Sequence, residues 1–76
     1  MKYDDIYTIG EASHILNISV KTIRYYEYNN LIMPSAKGEY NHNLYSINDI
    51  EKLKTITYMT SGGFTTKEIK EELEDN

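Results

Sequence analysis

The sequence predicts a mostly α-helical winged helix-turn-helix of about four helices with a short β-hairpin wing. Three observations predict it: two short helical segments separated by a three-residue break, a polar turn-rich stretch, and a second pair of helical segments. We expect a single domain over residues 1–76, with the helix-turn-helix at about 8–29, the wing at about 35–45 and the second helical pair at about 46–74.

The first helix is predicted over residues 9–16, where apolar residues recur at helical spacing. Thr8 with Glu11 forms a Ser/Thr-x-x-Glu capping box at its start. Residues 17–19 then break the pattern. Ser19 is a good N-cap for a second helix, because its oxygen can accept a backbone N–H of the first turn.

The second helix has an apolar side and a basic, aromatic side. At about 100° per residue, Val20, Ile23 and Glu27 share one side. The opposite sector holds Lys21, Arg24, Tyr25 and Tyr28. Lys and Arg can neutralise phosphates, Arg can also pair with a guanine edge, and tyrosine hydroxyls can donate to phosphate oxygens. An ordinary amphipathic helix with a solvated polar face would show the same pattern, so the flanking segments must decide.

The segment after this helix changes character. Residues 29–30, both asparagine, suit a helix C-terminus, and Pro34 prevents helix continuation. Residues 35–43 are polar, rich in turn formers and without helical period. This composition favours a β-hairpin wing, with Gly38 or Asn41 able to take a positive φ at its turn.

Two further helices are predicted after the wing. Residues 46–49 form a capping pattern, residues 62–63 are a glycine pair that stops the helix, and residues 65–68 restart one with a second capping box. Ile69 and Leu73 are expected to turn inward on the last helix. The core-facing stripe predicted for the longer helix is Ile47, Ile50, Leu53, Ile56 and Met59.

Composition fits a small protein with one core and little catalytic chemistry. The chain has 76 residues, 39% of them hydrophobic, and no cysteine, so disulfides and thiolate metal sites are absent. His14 and His42 lie far apart without clustered ligands, and no phosphate loop or nucleophile motif occurs. We therefore expect no metal, no cofactor and no enzymatic activity. With no membrane-length apolar run and no signal peptide, we expect a cytoplasmic protein.

The chain contains eight tyrosines and has a negative net charge. Tyr3, Tyr7, Tyr40, Tyr45 and Tyr58 are expected to pack amphipathically, with their hydroxyls at the surface. A net charge of −4 is unusual for a DNA-binding domain. Four acids crowd the C-terminal end, namely Glu71, Glu72, Glu74 and Asp75. The acidity therefore lies away from the second helix, and the local field decides where DNA docks.

Several segments together resemble the DNA-binding domain of the MerR family of transcriptional regulators. They are residues 7–12, residues 19–27 with the Arg-Tyr-Tyr-Glu run, residues 31–34, residues 44–46 and residues 63–69. The resemblance covers almost the whole chain. It implies a bacterial or phage DNA-binding protein whose second helix is the recognition helix, with a wing against the DNA backbone beside it.

Ten residues are assigned to the DNA interface: Ser19, Lys21, Thr22, Arg24, Tyr25, Tyr28, Lys37, His42, Asn43 and Lys67. In the wing the chain departs from the related regulators. Lys37 and Asn43 stand where the family usually has arginine, Asn41 where it has glycine, and His42 on a tyrosine position. Lysine lacks the planar fork of arginine and asparagine releases no counterion, so we expect a weakened wing contact.

The length leaves two alternatives open. Full regulators of this family continue into a long coiled-coil helix and an effector-binding region, whereas this chain ends at residue 76. It is either a DNA-binding domain cut from such a regulator or a small protein working without a sensor, such as an excisionase-like accessory factor. No effector site is evident in either case.

The expected partner is double-stranded DNA, bound in transcription control or DNA architecture. One recognition helix reads only a few base pairs, so a homodimer or side-by-side assembly on DNA is expected. The alternative is a protein-interaction module of the same fold that binds another regulator or a recombinase. Binding to duplex DNA that weakens steeply with salt would favour the first function.

Overall fold

The computed structural model describes residues 6–74, apart from the side chain of Asn41. Its elements in chain order are β1 (Ile6–Thr8), α1 (Ile9–Leu16), α2 (Val20–Tyr28), β2 (Ala36–Lys37), β3 (Asn43–Ser46), α3 (Ile47–Ser61) and α4 (Thr66–Glu74). A 3-10 turn at Glu39–Asn41 joins β2 to β3. The prediction of a mostly helical winged helix-turn-helix is confirmed.

The helix-turn-helix forms as the capping residues predict. The capping box of Thr8 with Glu11 starts α1, and Asn17 ends it in the left-handed conformation with φ 57°. Ser19 then caps α2 by accepting the backbone N–H of Thr22 at 3.0 Å. With this tight turn between them, α1 packs directly against α2.

The wing belongs to a three-stranded antiparallel sheet in the order β1-β3-β2. Tyr7 of β1 pairs with Tyr45, and Ala36 of β2 pairs with Leu44. The hairpin was predicted, but β1 was not, because three residues are too few to show a strand period. β1, just before α1, therefore pairs with one edge of β3, and β2 pairs with the other edge to form the wing.

The hydrophobic core lies between the helices and the sheet. Its buried residues are Ala12, Ile23, Tyr26, Leu31, Ile32, Tyr45, Ile50, Leu53, Ile56 and Ile69. The prediction that Ile47 faces this core is wrong, since 47% of its surface is exposed. Residues spaced three apart are about 300° apart around a helix, so a stripe at this spacing gradually winds around the helix surface. Ile47 therefore lies about 120° around the helix from Leu53, which is at the centre of the buried side.

The turn at the wing tip also differs from the prediction. Gly38 or Asn41 was predicted to take a positive φ, but Gly38 has φ −98° and Asn41 also has a negative φ. The positive φ is at Tyr40, with φ 59°. Gly38 instead lies close to Leu44: a Cβ there would lie 3.2 Å from a methyl carbon of Leu44, which would have to shift slightly.

The root of the wing is held by the buried carboxylate of Asp49, which is only 6% exposed. Asp49 accepts the backbone N–H of Ser46 at 3.0 Å as half of a capping box at the start of α3. The same oxygen accepts the backbone N–H of Ser35 at 3.1 Å and the Ser35 hydroxyl at 2.5 Å. One side chain thus joins both ends of the hairpin to one helix terminus.

Asp49→Ala is expected to destabilise the protein by about 1–3 kcal/mol, because it leaves partly buried donors at Ser35 and Ser46 without an acceptor. Asp49→Asn keeps one acceptor oxygen in place and should cost less. Urea unfolding followed by circular dichroism measures both variants. Equal stability of Asp49→Ala and the original chain would show that this carboxylate does not hold the wing.

Candidate nucleic-acid interface

The outer face of α2, the helix predicted to be the recognition helix, is solvent-exposed along its length. Tyr25 is 57% exposed and Tyr28 84% exposed, and Lys21 and Arg24 are exposed beside them. On the opposite side Ile23 is fully buried. The predicted orientation of the helix is therefore confirmed, and its cations and phenol groups stand free on one surface.

The N-terminus of α2 offers fewer free donors than its sequence indicates. The hydroxyls of Ser19 and Thr22 lie 2.8 Å apart and hydrogen-bond to each other. One proton is used in that bond, so the pair has one hydroxyl proton left for a phosphate. The free backbone N–H groups of this first turn remain the other donors at this end.

A half-buried carboxylate, Glu27, joins the recognition helix to the wing. The Asn43 amide nitrogen donates to Glu27 Oε2 at 3.1 Å, and the Tyr45 hydroxyl donates to the same oxygen. No lysine or arginine nitrogen of residues 6–74 lies within 4.0 Å of this carboxylate. Glu27 is thus satisfied by neutral donors, and it fixes the distance between α2 and β3.

Tyr45 corrects one expectation from the sequence. Its side chain is fully buried, whereas its hydroxyl was expected at the surface. Burial, followed by the hydrogen bond and charge of Glu27, raises the pKa of Tyr45 far above its ordinary value. The hydroxyl therefore stays protonated at physiological pH and remains a donor to Glu27. Tyr40 and Tyr58, by contrast, are 88% and 80% exposed and do not pack as expected.

The wing brings its polar residues to the edge of the recognition helix. Lys37 and His42 are exposed, and the His42 ring centre lies 6.2 Å from that of Tyr40. Asn43 is half-buried, and its amide nitrogen is turned inward to Glu27. The wing thus presents one lysine and one imidazole outward, while the amide nitrogen of Asn43 faces the interior.

A surface cleft of about 310 Å³ lies where helix and wing meet. It is lined by Thr8, Ile9, Arg24, His42 and Asn43. The fold therefore brings Arg24 together with two of the wing residues assigned from the sequence. Lys67 is exposed in the first turn of α4, which begins with the capping box of Thr65 and Glu68, and does not line this cleft.

Glu27 and Tyr45 shape this interface and were not assigned to it from the sequence. The available signal was the position of Glu27 on the apolar side of α2, beside Ile23. A carboxylate facing a core requires donors, and the wing is the segment that supplies them. The identity of those donors depends on the register of β3, which the sequence does not show.

Other classes of site find no support in residues 6–74. No group of three or more metal-binding side chains occurs among them. Over the same range, each helix is too short or too polar to cross a membrane. The polar surface of α2 with the adjoining wing remains the candidate interface.

Comparisons with known proteins agree with this geometry. The chain is 40% identical over 63 residues to the heavy metal-dependent transcription regulator 2 of Rhizobium meliloti, covering 83% of this chain and 43% of that protein. It resembles the solved N-terminus of MtaN, the Bacillus subtilis multidrug transporter activator, with 34% identity and TM-score 0.80, covering 88% of this chain and 63% of that one.

A second solved structure is HiNmlR, a MerR family regulator lacking the sensor domain, bound to promoter DNA. It matches with 26% identity and TM-score 0.83, covering 91% of this chain and 52% of that one. This chain thus spans less than half of the Rhizobium protein's length and about half of the HiNmlR chain. The MerR HTH family of regulatory proteins matches residues 7–76. The resemblance drawn from the sequence is confirmed: the chain belongs to the MerR helix-turn-helix family of regulatory proteins.

Proposed function

We propose that this chain is a sequence-specific double-stranded DNA-binding protein that acts in transcription control or as a DNA-architectural accessory factor. The main support is the outer surface of α2, where four side chains are exposed to solvent: Lys21, Arg24, Tyr25 and Tyr28. The opposite side of this helix packs against the core through Ile23 and Tyr26. A helix of this kind enters the major groove with its outer side chains on bases and phosphates.

Two features of the chain and one related structure support this function. The wing lies beside the recognition helix, its His42 shares a cleft with Arg24, and its Lys37 is exposed. The related HiNmlR was solved bound to promoter DNA. The acids that make the net charge −4 are concentrated at the end of α4, whereas residues 17–45 carry more basic than acidic side chains.

The remaining properties follow from the same proposal. The chain acts as one DNA-binding domain in the cytoplasm and catalyses no reaction. Because one helix reads only a few base pairs, two copies bind as a homodimer or side by side on adjacent sites. The single lysine of the wing gives this domain a smaller phosphate contact than two arginines would.

Selection from a pool of random duplexes, followed by binding titrations, tests the function. The full 76-residue chain should enrich a defined sequence, and its affinity for that duplex should fall steeply between about 50 and 200 mM salt. Failure to enrich any sequence, together with salt-insensitive binding to a protein partner, would instead support the protein-interaction module.

The acidic end of α4 provides a separate prediction. Changing Glu71, Glu72, Glu74 and Asp75 to glutamine should raise affinity for random duplex, because long-range repulsion is removed; Asp75 lies outside the described residues. The increase should be largest at about 0.01 M salt, where the Debye length is about 30 Å. Affinity for the enriched site should rise less, so selectivity should fall.

The same four-residue variant distinguishes repulsion from assembly. Titrations against a single half-site and against a long array of sites measure the two effects separately. Loss of binding to the array, with half-site affinity unchanged, would show that the acidic end contacts a neighbouring subunit.

A further inference from the structure

The carbonyl oxygen of Asn43 is a buried hydrogen-bond acceptor without a donor. The amide nitrogen of Asn43 faces Glu27 at 3.1 Å. An ionised carboxylate only accepts, so the amide cannot be reversed, and Oδ1 must point the other way. Among residues 6–74, no donor reaches this buried oxygen. A buried oxygen without a hydrogen-bond donor destabilises the protein unless a donor reaches it in another state.

The cleft beside Asn43 is also lined by Arg24, a side chain with several hydrogen-bond donors. Arg24 and His42 line the same cleft as Asn43. The positive charge of Arg24 also acts on Tyr45, where it lowers the pKa against the larger raising effects of burial and of Glu27. A guanidinium has five N–H donors, and one can be used here while the others remain for a ligand.

We propose that Asn43 is a positioning residue for Arg24: when DNA binds, one guanidinium N–H of Arg24 donates to Asn43 Oδ1, and its remaining donors face the duplex. The inference rests on the proposed DNA-binding function. It replaces the expected phosphate contact of Asn43 by an indirect role, because the amide nitrogen of that side chain is turned inward and uses one of its two N–H donors on Glu27.

The arrangement forms a chain of three side chains with alternating roles. Glu27 accepts from Asn43, Asn43 accepts from Arg24, and Arg24 donates to DNA. Each member fixes the direction of the next, so the guanidinium is oriented by the wing rather than by its own flexible stem. An arginine held in this way loses less conformational freedom on binding and reads its base more selectively.

A double-mutant cycle tests the inference. Asn43→Leu, of similar size but without polar atoms, is measured with Arg24 present and with Arg24→Ala, by fluorescence anisotropy against a labelled duplex enriched from the random pool. We expect a loss of about 5- to 20-fold in the first background and less than about twofold in the second, since interacting residues are not additive. An equal loss in both backgrounds overturns the inference.

Lys67→Ala is the matched control, because this side chain is exposed on α4 and does not line the cleft. Its effect should be the same in both backgrounds. If the original chain binds no duplex, the proposed function fails and the inference with it; if binding occurs and the Asn43 cycle is additive, only the inference fails.

Circular dichroism shows whether Asn43→Leu is folded, and Asn43→Ser repeats the cycle with a smaller side chain if it is not. The structure of the original chain on the enriched duplex gives an independent result. A distance above 3.5 Å between every Arg24 guanidinium nitrogen and Asn43 Oδ1 in that complex overturns the inference.

Discussion

Tyr26→Ala is expected to destabilise this protein by about 3–5 kcal/mol, the usual cost of removing a buried aromatic side chain. Tyr26 is only 4% exposed and belongs to the core on the inner side of α2. Stability of small domains is roughly 0.05–0.15 kcal/mol per residue, so this loss removes a large share of the total. Thermal unfolding should show a melting temperature lower by more than about 10 °C.

The neighbouring tyrosine is a matched control for this variant. Tyr25→Ala removes the same side chain from a position that is 57% exposed, and the two rings lie 6.3 Å apart. We expect a change in stability below about 1 kcal/mol, together with weaker DNA binding. Equal destabilisation by both variants would mean that the outer tyrosine also supports the fold.

Arg24→Ala is expected to weaken binding to the enriched duplex by about 1–3 kcal/mol, or about 5- to 150-fold. Arg24 is exposed at the centre of α2 and has no ion-pair partner within residues 6–74. The fold should therefore remain intact, with an unchanged melting temperature. Arg24→Lys should recover only part of the affinity, because lysine cannot reproduce the planar fork.

Lys70→Ala controls for the loss of one positive charge. Lys70 is also exposed, but it lies on α4 outside the recognition helix. Its removal should change affinity only slightly and equally for specific and random duplexes, whereas Arg24→Ala should lose discrimination between them. A folded Arg24→Ala variant with unaltered affinity would contradict the assignment of this residue to the interface.

The sequence predicts local features of this fold well because their causes are local. The caps at Thr8 and Ser19 need only residues three positions away, and the glycine pair at 62–63 ends α3 by its own backbone conformation. The outer and inner sides of α2 follow from the helical period alone. None of these features depends on how distant segments meet.

The parts that escaped prediction depend on pairing between distant segments. Strand β1 exists because Tyr7 meets Tyr45, and Glu27 becomes a bridge only because the register of β3 places two donors beside it. The positive φ at Tyr40 follows from closure of the wing by the hydrogen bond from Gly38 to His42 at 2.8 Å. Sequence spacing within one segment contains no information on these contacts.

The pairing of β1 with β3 also has a consequence for synthesis of the chain on the ribosome. The helix-turn-helix is complete by residue 28, but the strand that pairs with residues 6–8 ends only at Ser46. Until that strand emerges, Tyr7 lacks its partner and the inner side of α2 is not covered by Tyr45. Closing this loop lowers the entropy of the chain before the stabilising contacts between β1 and β3 can form, so we expect sheet formation to be the late step of folding. A nascent chain or proteolytic fragment ending before Ser46 should therefore remain unfolded, although it contains every residue of the recognition helix.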